Sequence, residues 1–410
     1  MALDRFLKRF SIDKSIAGDV WGGFAAMLVA LPASIAFGIA VYAVLGPQYI
    51  AVGSIAGILG AVALGIVAPI LGGSPRLISA PCAPAAAIMG ALAAELIKSG
   101  GLSPAQAVVF LMLVGLCAGL LEILYGALGG GRFIKYIPYP VVSGYLSGVG
   151  ALIILSQLPK VLGLPRGMSL WEGILSPLSW QLPGIFIALT TIAGVLLAPR
   201  ILKTVPAVIF GLAAGVSAYL GISLFLPELR SLSGNTLVIG PLFQGEGVFF
   251  AALKERWVSL GNIRIADIAV LITPAATLSV LLSIDTLKTC VVMDTLTRSR
   301  HEANRELVGQ GAANILSALI GGMPGAGTMG PTLVNVGSGA RTRLSGVLEG
   351  VFILIAFLAL LPLIAWLPIA ALAGILLVVA WRMIDRQSLF LLRQRSTVFD
   401  FVVILMVVIT

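Results

Sequence analysis

The side chains best suited to do chemistry lie in the segment Ser283–Thr289, inside an otherwise apolar stretch. Ionisable residues in such a stretch are candidates for function, and this one holds Asp285 and Lys288. At i, i+3 on a helix these two could form an ion pair, while Asp285 and Thr289 share a face at i, i+4. A carboxylate with a hydroxyl one turn away can supply oxygens to a hard cation such as Na⁺ or carry a proton. The alternatives are a pair that only fixes packing, or a Lys288 that extends to the membrane interface.

A second candidate is built from backbone rather than from side chains. Residues 321–331 read GGMPGAGTMGP, with five glycines and two prolines. Glycine costs a helix interior about 1 kcal/mol and proline about 3 kcal/mol, so a continuous helix is excluded here. Residues 72–84 (GGSPRLISAPCAP) repeat the GG-x-P start, and a short hydrophobic segment follows each copy. Coincidence is the alternative, but the two breaks fall at matching positions in two halves of the chain.

Each break predicts a half-helix, over 82–97 and over 328–338, preceded by a short extended segment. The first N–H groups of a half-helix have no intrahelical partner, and the positive end of its dipole attracts anions. We expect the two ends to face each other and to bind an oxyanion through backbone amides at small residues, which are Cys82, Ala83, Ala326, Gly327 and Thr328. Two kinked packing helices without a ligand are the alternative.

Three further polar residues lie on apolar helices. Pro32 in the first span frees a backbone carbonyl, and Ser34 near it is another candidate for the substrate cavity. Glu122 and Glu349 are intramembrane acids, and either could bind a proton. A hydrogen bond from a neighbouring helix to a structural acid is the alternative for both.

The elements that position these residues are membrane spans. The 410 residues are 59% hydrophobic and only 10% charged, whereas a soluble domain has about 25% charged residues. Because about 20 apolar residues cross a bilayer as a helix, the chain is predicted to be an all-α polytopic membrane protein. The predicted spans are 20–43, 49–71, 82–97, 104–129, 138–158, 181–198, 204–226, 267–293, 306–320, 328–338, 345–366, 367–384 and 398 onward.

The positions of the breaks indicate two repeats of inverted topology. We expect an amphipathic cytoplasmic N-terminus at 1–19, a first repeat at 20–226, an extracytoplasmic connector at 227–266 and a second repeat at 267–410. Lys and Arg concentrate in the loops that would then lie inside, which predicts a cytoplasmic N-terminus. We expect the protein to lie in the plasma membrane. Since residue 410 falls within an apolar run, we expect these residues to be part of a longer protein.

Composition argues against several other classes. His301 is the only histidine and lies in a polar loop, while Cys82, Cys117 and Cys290 lie in apolar segments without metal-ligand spacing. A membrane enzyme is therefore a weak alternative, and no cofactor is expected other than Na⁺ as a coupling ion. The net charge of +9 is spread over short loops, a pattern that sets orientation in the bilayer rather than binding nucleic acid.

At these motifs the sequence resembles the SulP family of anion transporters, the sulfate-permease group. The resemblance is carried by 19–24 (DVWGGF) with Leu31-Pro32, by both breaks, by 283–289 and by 304–311 (NRELVGQG). The second half is most similar to the cyanobacterial sodium-dependent bicarbonate transporters. Two positions depart from that group: Cys82 stands in place of a threonine and removes a hydroxyl, and Lys288 stands in place of an aliphatic residue and offsets the charge of Asp285.

The resemblance implies a fourteen-span core of two inverted seven-span repeats, an elevator-like mechanism, a homodimer and a cytoplasmic STAS domain after the last span. About thirteen of those spans, and no STAS domain, fall within residues 1–410. The resemblance implies a coupling role and a Na⁺ site for Asp285 and Thr289. It also implies anion-site roles for four residues at the breaks, namely Cys82, Ala83, Ala326 and Gly327.

We therefore expect a secondary transporter of a small inorganic oxyanion, bicarbonate or sulfate, driven by Na⁺ or H⁺ across the lipid bilayer. A proton-coupled nucleobase or carboxylate carrier on the same fold is the alternative among transporters, with Glu349 as a weak candidate for binding ring amides. Backbone amides distinguish the two oxyanions by cavity size and protonation state, neither of which can be read from the sequence.

Overall fold

Apolar runs separated by glycine, proline and polar residues fold into helices. A computed structural model describes residues 14–98, 103–132, 139–164, 170–201, 206–232, 235–240 and 265–384. Six helices in these ranges are long and apolar enough to cross a membrane. The helices are α1 (Lys14–Tyr42), α2 (Tyr49–Leu71), α3 (Ala83–Lys98), α4 (Pro104–Ala127), α5 (Tyr139–Leu162), α6 (Leu170–Leu175), α7 (Leu182–Ile201), α8 (Ala207–Phe225), α9 (Ile265–Thr297), α10 (Ala303–Leu319), α11 (Met329–Gly337), α12 (Leu344–Ala365) and α13 (Ile369–Met383).

Most of these helices lie where hydrophobicity predicts them. A capping box begins α4, because the Ser103 hydroxyl accepts a hydrogen bond from Gln106 N and the Gln106 side chain accepts one from Ser103 N. The first helix differs from expectation: it already includes Lys14, and the buried Asp19 lies within it. Residues 1–13, the connector from 241 to 264 and the last predicted span lie outside the described residues.

The helices pack in two groups. The larger group contains α1–α4 and α9–α12, and both breaks belong to it. The smaller group contains α5, α7, α8 and α13, which share an apolar core that includes Ile187, Tyr219 and Ala371. Contacts of α13 with α1 and of α5 with α3 join the two groups.

Glycines let α1 and α2 approach until their backbones touch. A Cβ at Gly57 would lie 2.0 Å from the carbonyl oxygen of Ser34. A Cβ at Gly38 would likewise lie 1.9 Å from the carbonyl oxygen of Gly53. Both distances are far below van der Waals contact, so any larger side chain must push the two helices apart.

We expect Gly57→Val to lower the thermal stability of the detergent-solubilised protein, because the added side chain meets backbone of α1 that cannot move alone. Overpacking of a well-packed site costs about 1–3 kcal/mol. Gly90→Val on α3 is the matched control, since a Cβ there meets no heavy atom within 4 Å. Melting curves compare the two variants, with size-exclusion chromatography after heating as the readout of folded protein. Equal melting midpoints would contradict a tight α1–α2 contact.

The two breaks come together as a pair of short antiparallel strands. β1 (Ser79–Pro81) pairs with β2 (Gly325–Gly327), and the central residues Ala80 and Ala326 lie opposite each other. Each strand leads into a short helix, because α3 and α11 begin two residues after the ends of β1 and β2. The predicted arrangement of an extended segment followed by a half-helix is therefore present at both breaks.

Candidate functional site

The strand pair is buried and is made of small residues. A Cβ at Gly325 would lie 2.2 Å from the carbonyl oxygen of Ala80, so this close pairing requires glycine. Because the strands are antiparallel, α3 and α11 leave the pair at opposite ends, and the positive end of each helix lies beside it. Cys82 and Ala83 are at one end, and Thr328 is at the other.

The amides at the second break are already in use. Gly327 N donates to Thr286 Oγ1 at 2.9 Å, and Thr328 N donates to Ile78 O at 2.8 Å. The expectation of free amides at Gly327 and Thr328 is therefore not met in this conformation, because a side chain of α9 and the start of the first break accept from them. In the first turn of α11, the N–H groups of Met329 and Gly330 have no intrahelical acceptor.

At the first break, α3 begins with a hydrogen bond from Ala86 N to Cys82 O at 3.0 Å. Cys82 and Ala83 are both buried. Of the residues between Cys82 and Ala86, Pro84 has no N–H and Ala85 N donates to the Cys82 sulfur, so Ala83 N is left without an acceptor in the helix. The helix α9, which carries Asp285, packs against α3, so the predicted anion end and the predicted coupling residue belong to helices in contact.

One face of α10 holds the first break. Glu306 Oε2 accepts hydrogen bonds from Gly73 N at 2.7 Å and from Ser74 N at 2.8 Å. One turn later, Gln310 Nε2 donates to Glu306 Oε1 at 2.9 Å and to Ser79 Oγ of β1 at 2.6 Å. All of these side chains are buried, so the contacts fix the backbone of the break without help from bulk water.

The same face of α10 holds the second break. Asn314 binds Gly325 with both ends of its amide: Oδ1 accepts from Gly325 N at 2.9 Å, and Nδ2 donates to Gly325 O at 3.0 Å. Asn314 Nδ2 also donates to Glu122 Oε2 on α4 at 2.7 Å. Ser317 Oγ donates to Met323 O at 2.7 Å. One buried polar face therefore ties both breaks to a single helix.

The predicted coupling residues lie together on α9, but their polar groups point to different partners. Lys288 Nζ lies 3.4 Å from Asp285 Oδ1, which forms the i, i+3 ion pair. The Thr289 hydroxyl donates to the backbone carbonyl of Asp285 at 2.9 Å. Carboxylate and hydroxyl oxygens suit a hard cation, but here the carboxylate pairs with the Lys288 ammonium group and the hydroxyl donates to backbone.

Ser34 and Glu349 are fully buried at helix contacts. Among the described residues, the Ser34 hydroxyl and both carboxylate oxygens of Glu349 have no hydrogen-bond partner. The backbone carbonyl of Ser34 lies against Gly57 of α2. The Glu349 carboxyl lies against Gly65 of the same helix, since a Cβ added at Gly65 would be 2.2 Å from Glu349 Oε2. Both residues therefore belong to the packing of α2 against its neighbours.

A separate cavity of about 760 Å³ lies between the two helix groups. Ile39 and Ile50 of the larger group line it, together with Lys160 and Ile369 of the smaller group. In the part of the chain that the structure describes, no cluster of three or more His, Cys, Asp or Glu side chains could hold a metal ion.

Sequence reasoning missed the residues that hold the breaks. These are Thr286, Glu306, Gln310, Asn314 and Ser317, and all five are buried. A usable signal exists for four of them, since Glu306, Gln310, Asn314 and Ser317 follow helical spacing among glycine, alanine and leucine. A row of polar residues on a helix whose other residues are small predicts that this face packs against protein backbone instead of facing water.

The fold and the site define a class of protein: an α-helical membrane protein in which two interrupted helices meet through short paired strands. The sequence profile described as the Sulfate permease family matches residues 16–407. The chain belongs to this family.

Two curated relatives are bicarbonate transporters named BicA. The protein from Picosynechococcus sp. is 35% identical over 378 residues, which cover 91% of this chain and 62% of the relative. The protein from Synechocystis sp. is 33% identical over 389 residues, again 91% of this chain and 62% of the relative. The chain thus spans less than two thirds of these relatives. A solved structure, the transmembrane domain of a cyanobacterial BicA, superposes with a TM-score of 0.75 at 31% identity and covers 96% of both chains.

Proposed function

We propose that this chain is the membrane domain of a secondary active transporter for a small inorganic oxyanion, bicarbonate or sulfate. The observation that carries the proposal is the buried strand pair with the N-termini of α3 and α11 beside it. An anion there meets two positive helix ends and the first-turn amides of Ala83, Met329 and Gly330, which have no acceptor in their own helix. The small residues Ala80 and Ala326 let the anion approach the backbone. The family membership and the BicA relatives favour an inorganic anion as the substrate.

The rest of the proposed mechanism concerns movement and coupling. The two halves are inverted repeats of a fourteen-span core, and the larger helix group carries the anion past the smaller one as an elevator. The cavity between the two groups supports this division. We place the protein in the plasma membrane as a homodimer, with a cytoplasmic N-terminus and a STAS domain in the full-length chain. It carries out transport without chemical conversion of the anion.

Uptake into proteoliposomes tests the proposed function. We expect accumulation of labelled bicarbonate or sulfate when a Na⁺ or proton gradient is imposed, and competition between the transported anion and its unlabelled form. Fumarate and uracil serve as comparison substrates, because a carrier for carboxylates or nucleobases would accumulate them instead. Gradient-driven accumulation of uracil but of neither inorganic anion would overturn the proposal.

Asp285→Asn is expected to remove the stimulation of uptake by a cation gradient, because the variant loses the carboxylate that would bind the coupling cation. Lys288→Gln and the double variant Asp285→Asn/Lys288→Gln separate coupling from packing. If the pair only fixes packing, each single variant loses stability by leaving one charge unpaired, and the double variant regains both stability and coupling. If Asp285 couples the cation, the double variant folds but stays uncoupled. A fully coupled double variant contradicts the assignment.

A further inference from the structure

Glu122 is a buried acid with an unused oxygen next to the second break. Its side chain is 0% exposed on α4, and Oε2 accepts a hydrogen bond from Asn314 Nδ2 at 2.7 Å. Oε1 has no hydrogen-bond partner among the described residues. Since Asn314 also binds both backbone groups of Gly325, one amide side chain connects the Glu122 carboxyl to the first residue of β2.

No cation balances this carboxyl in the described part of the chain. The helices packed against α4 are α3, α9 and α10. The ionisable groups in the same region are Cys82 before α3 and Asp285 and Lys288 on α9, whereas the Glu306 carboxylate on α10 is bound to the first break. Lys288 lies 3.4 Å from Asp285, and within the described residues no Lys, Arg or His lies within 4.0 Å of Glu122. The bond from Asn314 is a hydrogen bond from a neutral donor.

We propose that Glu122 is a proton-binding site coupled to the anion site at the strand pair, an inference that rests on the proposed function. An ionised carboxylate buried without a counter-ion is strongly disfavoured, and one neutral hydrogen bond offsets only part of that cost. As the neutral acid, Glu122 keeps the bond from Asn314 at one oxygen and holds the proton at the other. An anion at the nearby helix ends adds negative charge, so it binds better when Glu122 carries its proton.

Reciprocity follows from this coupling. If a proton at Glu122 strengthens anion binding, the anion strengthens proton binding by the same factor. Proton and anion are then taken up together, and the carboxylate is regenerated when both are released on the other side. Anion affinity should fall as the pH rises, by up to about tenfold per pH unit for one linked proton.

The test uses Glu122→Gln with Glu349→Gln as its matched control. The glutamine introduced by Glu122→Gln mimics the neutral acid in shape and charge, and its amide oxygen can still accept from Asn314. Glu349 is also 0% exposed, and both its oxygens lack partners among the described residues, but it lies on α12 against Gly65 rather than at a break. The probe is labelled sulfate, because sulfate keeps one charge state at neutral pH whereas bicarbonate titrates. The readouts are sulfate binding against pH and proton uptake into vesicles followed with an internal pH dye.

We expect the wild type and Glu349→Gln to bind sulfate more weakly as pH rises and to move protons with sulfate. Glu122→Gln should bind sulfate at all pH values with the affinity of the protonated wild type and should move no protons with it. A pH profile and proton uptake in Glu122→Gln equal to wild type, or their loss in Glu349→Gln instead, overturns the proposal. Absence of bicarbonate and sulfate transport by the wild type overturns the proposed function itself, and this inference with it.

If Glu122→Gln does not assemble, Glu122→Asp decides the question. The shorter acid still titrates but cannot hold the same bond to Asn314, so the midpoint of the sulfate–pH profile should shift. An unshifted midpoint in a folded Glu122→Asp protein contradicts the assignment.

Discussion

Replacing Asn314 by leucine is expected to reduce anion uptake by at least tenfold, even where the variant reaches the membrane. Leucine is similar in shape to asparagine but has no polar side-chain atoms, so Gly325 N, Gly325 O and the Glu122 carboxyl each lose a partner. A buried polar group left unsatisfied costs about 1–3 kcal/mol, and about 1.4 kcal/mol corresponds to a factor of ten. The backbone groups of the second break would have to form other hydrogen bonds. The register of β2 against β1 would then no longer be fixed.

Asn304→Leu is the matched control on the same helix. Asn304 Oδ1 accepts from Gly131 N at 3.0 Å in the loop after α4, away from both strands. This variant should lose some stability and keep most of its transport per folded molecule. The measurement is initial anion uptake into proteoliposomes, normalised to the amount of monodisperse protein. If both variants transport equally well, the register of β2 does not depend on Asn314.

Glu306→Gln is expected to lower the thermal stability of the protein strongly and to disrupt the first break. Glu306 accepts hydrogen bonds at both oxygens, from Gly73 N and Ser74 N at Oε2 and from Gln310 Nε2 at Oε1. Glutamine replaces one of these oxygens by an NH₂ group, so a donor faces a donor on one side unless Gln310 turns its own amide, and the carboxylate charge is lost in either case. Hydrogen bonds to charged groups contribute about 1.5–3 kcal/mol each, and the substitution weakens all three.

Glu302→Gln makes the same chemical change one turn earlier on an exposed side chain. We expect its melting midpoint to match wild type, while that of Glu306→Gln falls by several degrees or the protein elutes as aggregate. Restoring the acid as Glu306→Asp should recover only part of the loss, because the shorter side chain reaches fewer partners. A Glu306→Gln protein as stable as Glu302→Gln would show that the first break is held by other contacts.

The location of the site was predictable from the sequence because glycine and proline exclude a helix wherever they cluster. The breaks at 72–84 and 321–331 therefore predicted half-helices near their observed positions. Their antiparallel pairing was not predictable, since three-residue strands such as Ser79–Pro81 have no alternating pattern. Local sequence reports where the backbone cannot be helical, but it does not report which distant segment accepts its hydrogen bonds.

The same distinction applies to the polar residues: contacts within one helix were predictable, and contacts between elements were not. Asp285 and Lys288 were identifiable as an ion pair because i, i+3 spacing brings them together within one helix. Gly327 was expected to offer a free amide, but Thr286 accepts its hydrogen bond from another helix. A contact of this kind depends on how α9 packs against β2, which spacing along the chain does not encode.

The pairing of β1 with β2 also sets the order in which the protein can be built. During synthesis, Ala80 enters the membrane long before its strand partner Ala326 has been made. Ser79 likewise precedes Gln310, the donor of its hydrogen bond, by 231 residues. Non-helical backbone at membrane depth needs protein neighbours, so the first break stays incomplete until the second half has been inserted. Closure of so long a loop is intrinsically slow. A nascent chain that stalls between the two breaks therefore carries an unpaired strand edge in the bilayer and half of a site that needs both breaks.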